Sequence, residues 1–175
     1  NYPLDFDPKT NWNYSNSGYI IAGKIIEIIT GQTWDQYIDD NFLTPLQMEN
    51  TGYQENFENV SDVTGYIKKK RELKPFKYNL SWALSAGALY STVEDLLKWT
   101  SIYEDSNLLG KNSKFEMQTP FLEYYGLGIF IKPYKDDIRI NHGGSTISFN
   151  SSLDYLKNSK LKIITLDNVH GKTEV

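Results

Sequence analysis

The hydrophobic period of the chain changes at Pro120, and that change limits what it can fold into. Before Pro120 apolar residues recur at helical spacing; after it they tend to alternate. The longest helical candidate is residues 19–29, Tyr19-Ile20-Ile21-Ala22-Gly23-Lys24-Ile25-Ile26-Glu27-Ile28-Ile29, where only Lys24 and Glu27 are charged. Ser15, Asn16 or Ser17 could cap its start, and Gly31 is placed to end it. The β-branched residues also suit a strand. Length and capping residues select a helix, and its few charges lead us to expect burial on most sides. Thr33 and Gln36 then form a capping-box pattern ahead of Trp34, Tyr37, Ile38 and Phe42, with Pro45 closing that helix. Residues 50–82 have weak periodicity and read as a long excursion with turns. Ser91 and Glu94 repeat the capping pattern before another helix. One face of that helix is Val93, Leu96, Leu97 and Thr100, flanked by Trp99 and Tyr103.

Past Pro120 the pattern predicts a strand over Tyr125–Ile131. Asp136-Asp137 turns the chain into a short strand, Ile138-Arg139-Ile140. Partial alternation runs from Phe149 to Leu156, Asn158-Ser159 signals a turn, and Leu161 to Asp167 forms a final strand. Helices followed by sequential strands give an α+β class with an antiparallel sheet. We expect one partial domain over 1–175, with a mainly helical and looped portion at 1–120 and a sheet portion at 121–175.

Composition removes several alternatives. The chain has 175 residues, of which 39% are hydrophobic and 14% aromatic, enough to build a core. Its net charge of -4 gives no support to nucleic-acid binding. It contains no cysteine and two histidines, so disulfides and thiolate metal sites are excluded and no metal or cofactor is expected. No apolar run has the ~18–20 residues needed to span a bilayer. The chain opens on Asn1 rather than Met, from which we expect a longer parent protein.

Two short motifs carry chemistry. In Tyr14-Ser15-Asn16, a tyrosine can shuttle a proton if cationic neighbours lower its pKa. The amide two residues on can hold a substrate carbonyl. In His142-Gly143-Gly144-Ser145, two glycines let a ligand approach a strand backbone, whose N–H can stabilise an oxyanion. Taken singly, each motif reads more simply as a packed aromatic beside a helix cap, or as a glycine-bearing turn.

Their order, and the segments between them, resemble the serine β-lactamase and penicillin-binding-protein family. That family includes class C β-lactamases, D-alanyl-D-alanine carboxypeptidases and family VIII-type esterases. Trp12 to Tyr19 resembles the segment around the family's Tyr-x-Asn element. Gly31-Gln32-Thr33 with Pro45-Leu46-Gln47-Met48-Glu49-Asn50-Thr51 resembles a further family stretch. So do Ser85 to Leu96 and Tyr125-Gly126-Leu127-Gly128. The resemblance covers nearly the whole chain and implies a β-lactamase/transpeptidase-like fold. It implies Tyr14 as the acid or base of acyl transfer, Asn16 as the substrate-amide contact and His142 in the place of the family's Lys-Thr-Gly lysine. Gly143, Gly144 and Ser145 would line the substrate, with the Ser145 N–H in the oxyanion hole.

The family's nucleophile, the serine of Ser-x-x-Lys, lies upstream of Tyr-x-Asn. None of residues 1–13 is Ser, and the single match, Ser159-Lys160-Leu161-Lys162, falls after both other motifs. We read that match as a chance pattern in a lysine-rich hairpin. The expectation is therefore half an active site, inactive alone, belonging to an extracytoplasmic hydrolase of peptidoglycan peptides, β-lactams or small esters. Its partners would be that substrate and the missing N-terminal segment, with dimerisation through uncovered core or sheet edge. The alternative is a non-catalytic module binding cell-wall peptide or protein. Departures from the family pattern include Gly87-Ala88, Gln47 and Ile147-Ser148, the last where Pro-Gly is common. The Lys68-Lys69-Lys70-Arg71 run reads as a solvated loop. His170-Gly171-Lys172-Thr173 lacks the upstream glycine of a phosphate loop.

Overall fold

The structure is a computed structural model that describes residues 3–53, 63–70, 72–104 and 107–170. Helix α1, Asn16–Thr30, starts where Ser15 Oγ accepts from the Gly18 N–H (3.1 Å). It stops where Gly31 takes φ 73 and returns its N–H to the Glu27 carbonyl. Helix α2, Trp34–Ile38, is capped by Thr33 as the sequence indicates, and a π-helical turn, Asp39–Leu43, carries it to Pro45.

Burial of α1 does not follow the expectation. Gly23 is its only fully buried residue, while Ile21 and Ile25 are exposed and Ile28 and Ile29 are 73% and 77% exposed. Its covered side packs on a 3₁₀ segment, Ser81–Ala86, where Ser85 Oγ donates to the Tyr19 carbonyl (2.8 Å). Trp34 also lies close to Gly23. The apolar stripe on the other side meets no element among the described residues. Low charge led to an expectation of burial, but among the described residues nothing covers this stripe.

Between the helices lie β1, Gly52–Tyr53, and a hairpin, β2, Tyr66–Lys69, with β3, Glu72–Pro75. Weak periodicity hid that hairpin because β3 is exposed along its whole length. Lys68 and Lys69 stand exposed on β2, while Arg71 lies outside the described residues. Strand β4, Leu89–Tyr90, pairs with β1.

Helix α3, Val93–Trp99, corrects the sequence reading by one position. Its cap is Thr92, whose Oγ1 accepts from the Asp95 N–H (3.3 Å); Ser91 instead pairs its hydroxyl with Thr51 (2.7 Å). The buried face turns with it. Leu96, Trp99 and Tyr103 pack on the core and Thr100 is buried, while Val93 and Leu97 are exposed. Asp95, 0% exposed, accepts from the Asn50 N–H (2.7 Å), the Thr51 hydroxyl (3.0 Å) and Lys98 Nζ (2.8 Å). Desolvation opposes its ionisation, but the bonds from Lys98, Asn50 and Thr51 outweigh it and hold the carboxyl below its ordinary range. This network fixes the loop after Met48 to α3. Helix α4, Lys111–Met117, follows a glycine cap and has no buried residue, so no apolar face announced it.

The sheet portion is a meander of β5, Phe130–Tyr134, β6, Asp137–Ser145, β7, Asn150–Leu156, and β8, Leu161–Asp167, in that spatial order. All its pairings are antiparallel. Residues 125–129, expected as strand, form a loop before β5. The core cluster is Tyr103, Ile129, Ile131, Ile140, Leu153 and Tyr155, with α3 residues laid on one face of the sheet. Alternation along each strand puts Leu161 and Ile163 on the opposite face, where both are exposed. The short strand β9, Val169–His170, leaves that sheet to pair in parallel with β2.

Candidate active site

The two motifs meet. Tyr14 precedes the Ser15 cap of α1, and Asn16 is the first residue of the helix, both with exposed side chains. His142 lies on β6 opposite Leu153 of β7. The Tyr14 and His142 rings stand 6.0 Å apart at 33°, although they come from opposite ends of the chain. Gly143, Gly144 and Ser145 continue β6, so the glycine motif lies within a strand rather than a turn.

Strand register explains what that motif offers. Pairing with β5 stops at Asn141, so His142–Ser145 pair only with β7 among the described strands. Thr146 donates its N–H to the Phe149 carbonyl (2.8 Å), which makes that position a hydrogen-bonded pair. Alternation then makes Ser145 and Asn150 a non-hydrogen-bonded pair, with the Ser145 N–H and C=O directed away from β7. The open edge of β6 thus presents a backbone donor beside His142. A side chain at Gly144 would crowd this stretch: its Cβ would lie 2.5 Å from Ser151 Oγ. The Ser145 hydroxyl is turned to Asn150 Oδ1 (2.9 Å).

The following turn, Thr146–Phe149, is held from outside. Ile147 donates its N–H to the Tyr78 hydroxyl (3.2 Å). Ser148 is buried with its hydroxyl unpartnered among the described residues, and it sits where a Cβ on Gly65 would be 2.3 Å away. The β2–β3 hairpin therefore closes on the end of β6.

Sequence reasoning missed the centre of the site. Tyr125 is buried and edge-on to both Tyr14 (6.2 Å, 87°) and His142 (6.5 Å, 67°). Trp12 and Phe130 complete the aromatic cluster, at 5.2 and 4.8 Å from Tyr125. Phe130 also stacks on His142 (6.2 Å, 25°). Burial in this cluster lowers the His142 pKa below its ordinary value and favours a neutral imidazole, partly opposed by the hydrogen bond that the ring donates to the Gly143 backbone carbonyl. The available signal was the Tyr-Gly-Leu-Gly run itself, in which closely spaced glycines argue against a plain strand.

Ser159 is elsewhere. It sits in the β7–β8 turn with its hydroxyl donating to Asp137 Oδ2 (2.8 Å). Asp137 also accepts from the Ile138, Asn158 and Ser159 N–H groups. Lys162, the last residue of the chance motif, pairs with Glu104 (3.0 Å). These contacts account for the motif as a hairpin staple.

Residues 1–168 match the family model described as Beta-lactamase. Protein flp of Staphylococcus aureus (strain MW2) is 28% identical over 184 residues, covering 97% of this chain and 36% of that protein. The match to a curated relative from Bacillus subtilis (strain 168) covers 42% of that relative, so the chain spans about two fifths of the curated relatives it matches. An octameric penicillin-binding protein homologue from Pyrococcus abyssi has the same fold, with TM-score 0.84 and 28% identity, over 94% of this chain and 40% of that one. A D-stereospecific amidohydrolase from Streptomyces sp. shares the fold at TM-score 0.84 and 23% identity, over 96% and 53% of the two chains. Family match, motif order and shared fold agree, and the chain belongs to the Beta-lactamase family of serine β-lactamase and penicillin-binding-protein-like hydrolases.

Proposed function

We propose that this chain supplies the Tyr-x-Asn and His-Gly-Gly half of an acyl-transfer site in a longer, extracytoplasmic parent protein. The observation that carries the reading is the approach of Tyr14 to His142 beside the open edge of β6. A Ser-x-x-Lys element from the parent would complete the site. Its serine Oγ adds to the carbonyl carbon of an amide, β-lactam or ester, while Tyr14 takes the hydroxyl proton. The carbonyl oxygen, now negative, accepts from the Ser145 N–H. Collapse breaks the bond to the leaving amine or alkoxide, which receives the proton back from Tyr14. Water then attacks the acyl-serine by the same steps in reverse and frees the acid. Asn16 holds the substrate amide, and His142, kept neutral, donates or accepts a hydrogen bond at the substrate.

In this reading the chain alone is inactive, and the exposed stripe of α1 docks the parent's remaining segment. Support comes from the share of its relatives that the chain covers and from the exposure of Ile28 and Ile29. The test is steady-state hydrolysis of a chromogenic ester by the parent protein carrying its Ser-x-x-Lys segment. Turnover that stops on serine-to-alanine substitution is expected. Binding of cell-wall peptide without turnover would replace this reading with that of a recognition module.

A further inference from the structure

Tyr125 belongs to neither motif, yet it touches both. It is 8% exposed, with Tyr14 and His142 at similar distances, so the three rings form a triangle with sides of 6.0, 6.2 and 6.5 Å. Both of its contacts in that triangle are edge-to-face, the arrangement that ring quadrupoles favour. Tyr19, one turn beyond Asn16 on α1, faces the same loop, with its hydroxyl 3.4 Å from where a Cβ on Gly128 would stand.

The backbone that delivers Tyr125 is unusual. Glu123 and Tyr124 adopt φ 50 and 59, in the left-handed region that side chains avoid. Beyond it, a Cβ on Gly126 would fall 2.3 Å from the Met117 carbonyl oxygen, so glycine alone fits. Five hydrogen bonds hold the loop: Phe121 N–H to Tyr125 O, Tyr125 N–H to Leu122 O, Gly126 N–H to Ile129 O, Leu127 N–H to Met117 O, and Ile131 N–H to Tyr124 O. Conformational strain at consecutive residues persists where surrounding structure enforces it, and here the product is the placement of one ring.

We infer that Tyr125 is a positioning residue: its buried ring sets the Tyr14–His142 spacing. The inference rests on the acyl-transfer reading for its functional meaning, while the geometry stands apart from it. Among the described residues, the titratable groups in ring contact with His142 are Tyr14, from the segment before α1, and Tyr125, from the loop before β5. Lys132 of β5 stands over the Phe130 ring (4.8 Å), and Arg139 and Asp154 pair with each other on the opposite face of the sheet. The aromatic wall therefore governs how dry His142 is.

The experiment is a histidine NMR titration of the 175-residue chain, in which only His142 and His170 report. Y125F should keep the Tyr14–His142 ring cross-peak and a His142 midpoint below the ordinary ~6.5. Y125L should lose the cross-peak and bring the midpoint up to about 6.5. A folded Y125L chain whose His142 titrates as before overturns the inference. So does a Y125L chain that loses its fold outright, because Tyr125 would then be core rather than positioning. Neither readout uses turnover, so failure of the acylation assay and failure of this inference are separate results.

Discussion

The Tyr14 and His142 rings lie 6.0 Å apart, one just ahead of the α1 cap and the other on the open edge of β6. Everything that keeps the cap, the helix and β6 in register should therefore act on the site.

The contact between α1 and the 3₁₀ segment is tight enough to exclude a methyl group. A Cβ on Gly23 would meet Ser85 Oγ at 2.1 Å and Ser85 Cβ at 2.6 Å. Gly23→Ala is expected to destabilise the chain by about 1–3 kcal/mol in urea unfolding, the usual range for overpacking. Adding Ser85→Gly should recover part of that loss, because residues in contact are not additive.

Asp95 is a second structural test. Asp95→Ala leaves the Asn50 N–H and the Thr51 hydroxyl without their acceptor. The expected cost is about 1–3 kcal/mol, the penalty for the unsatisfied Asn50 donor, because the Thr51 hydroxyl can still donate to Ser91 (2.7 Å). The pair with Lys98 adds little, since the lysine side chain is 40% exposed and screened. A denaturant midpoint unchanged from the parent chain would contradict the network.

Stability should rise with pH below neutrality. The folded His142 pKa lies below the unfolded ~6.5, so between the two values the unfolded chain binds the extra proton. The stabilisation is present above about 6.5 and is lost as pH falls through the folded value. Asp137 acts with the same sign at lower pH. Burial works against its ionisation, but bonds from Asn158, Ser159 and Ile138 prevail and hold it at about 2 against 3.8. Its stabilisation is lost as pH falls from 3.8 toward about 2. Thermal melts from pH 8 down to pH 2 check both windows, and His142→Asn should remove the upper one.

The α1 stripe predicts association rather than instability. Ile28→Lys with Ile29→Lys should change unfolding free energy by less than about 0.5 kcal/mol per site, as exposed substitutions do. Light scattering should show the parent chain self-associating through this uncovered surface and the double variant doing so less. In the longer parent, the same pair should impair assembly of the site.

Local chemistry was legible and tertiary demand was not. Gly31 and Thr33 act within a few residues of themselves, so their roles could be read directly. Ser91 and Thr92 each have an acidic residue three positions on, and only packing of Leu96 and Trp99 decides which one caps α3. Tyr125 was read as a strand residue because its importance lies in rings from two distant parts of the chain, Trp12 and Tyr14 before α1 and His142 on β6. The α1 stripe was recognised as apolar, but no single-chain pattern says whether its partner is present.

The central claim is that Tyr14, Asn16 and His142 are half of an acyl-serine site. Its most direct test is the intact mass of the parent protein, carrying Ser-x-x-Lys, after incubation with a fluorescent penicillin. The account predicts one acyl adduct on that serine, formed about 10²–10⁴-fold more slowly in Tyr14→Phe. No adduct at all, or an adduct formed equally fast in Tyr14→Phe, would contradict it.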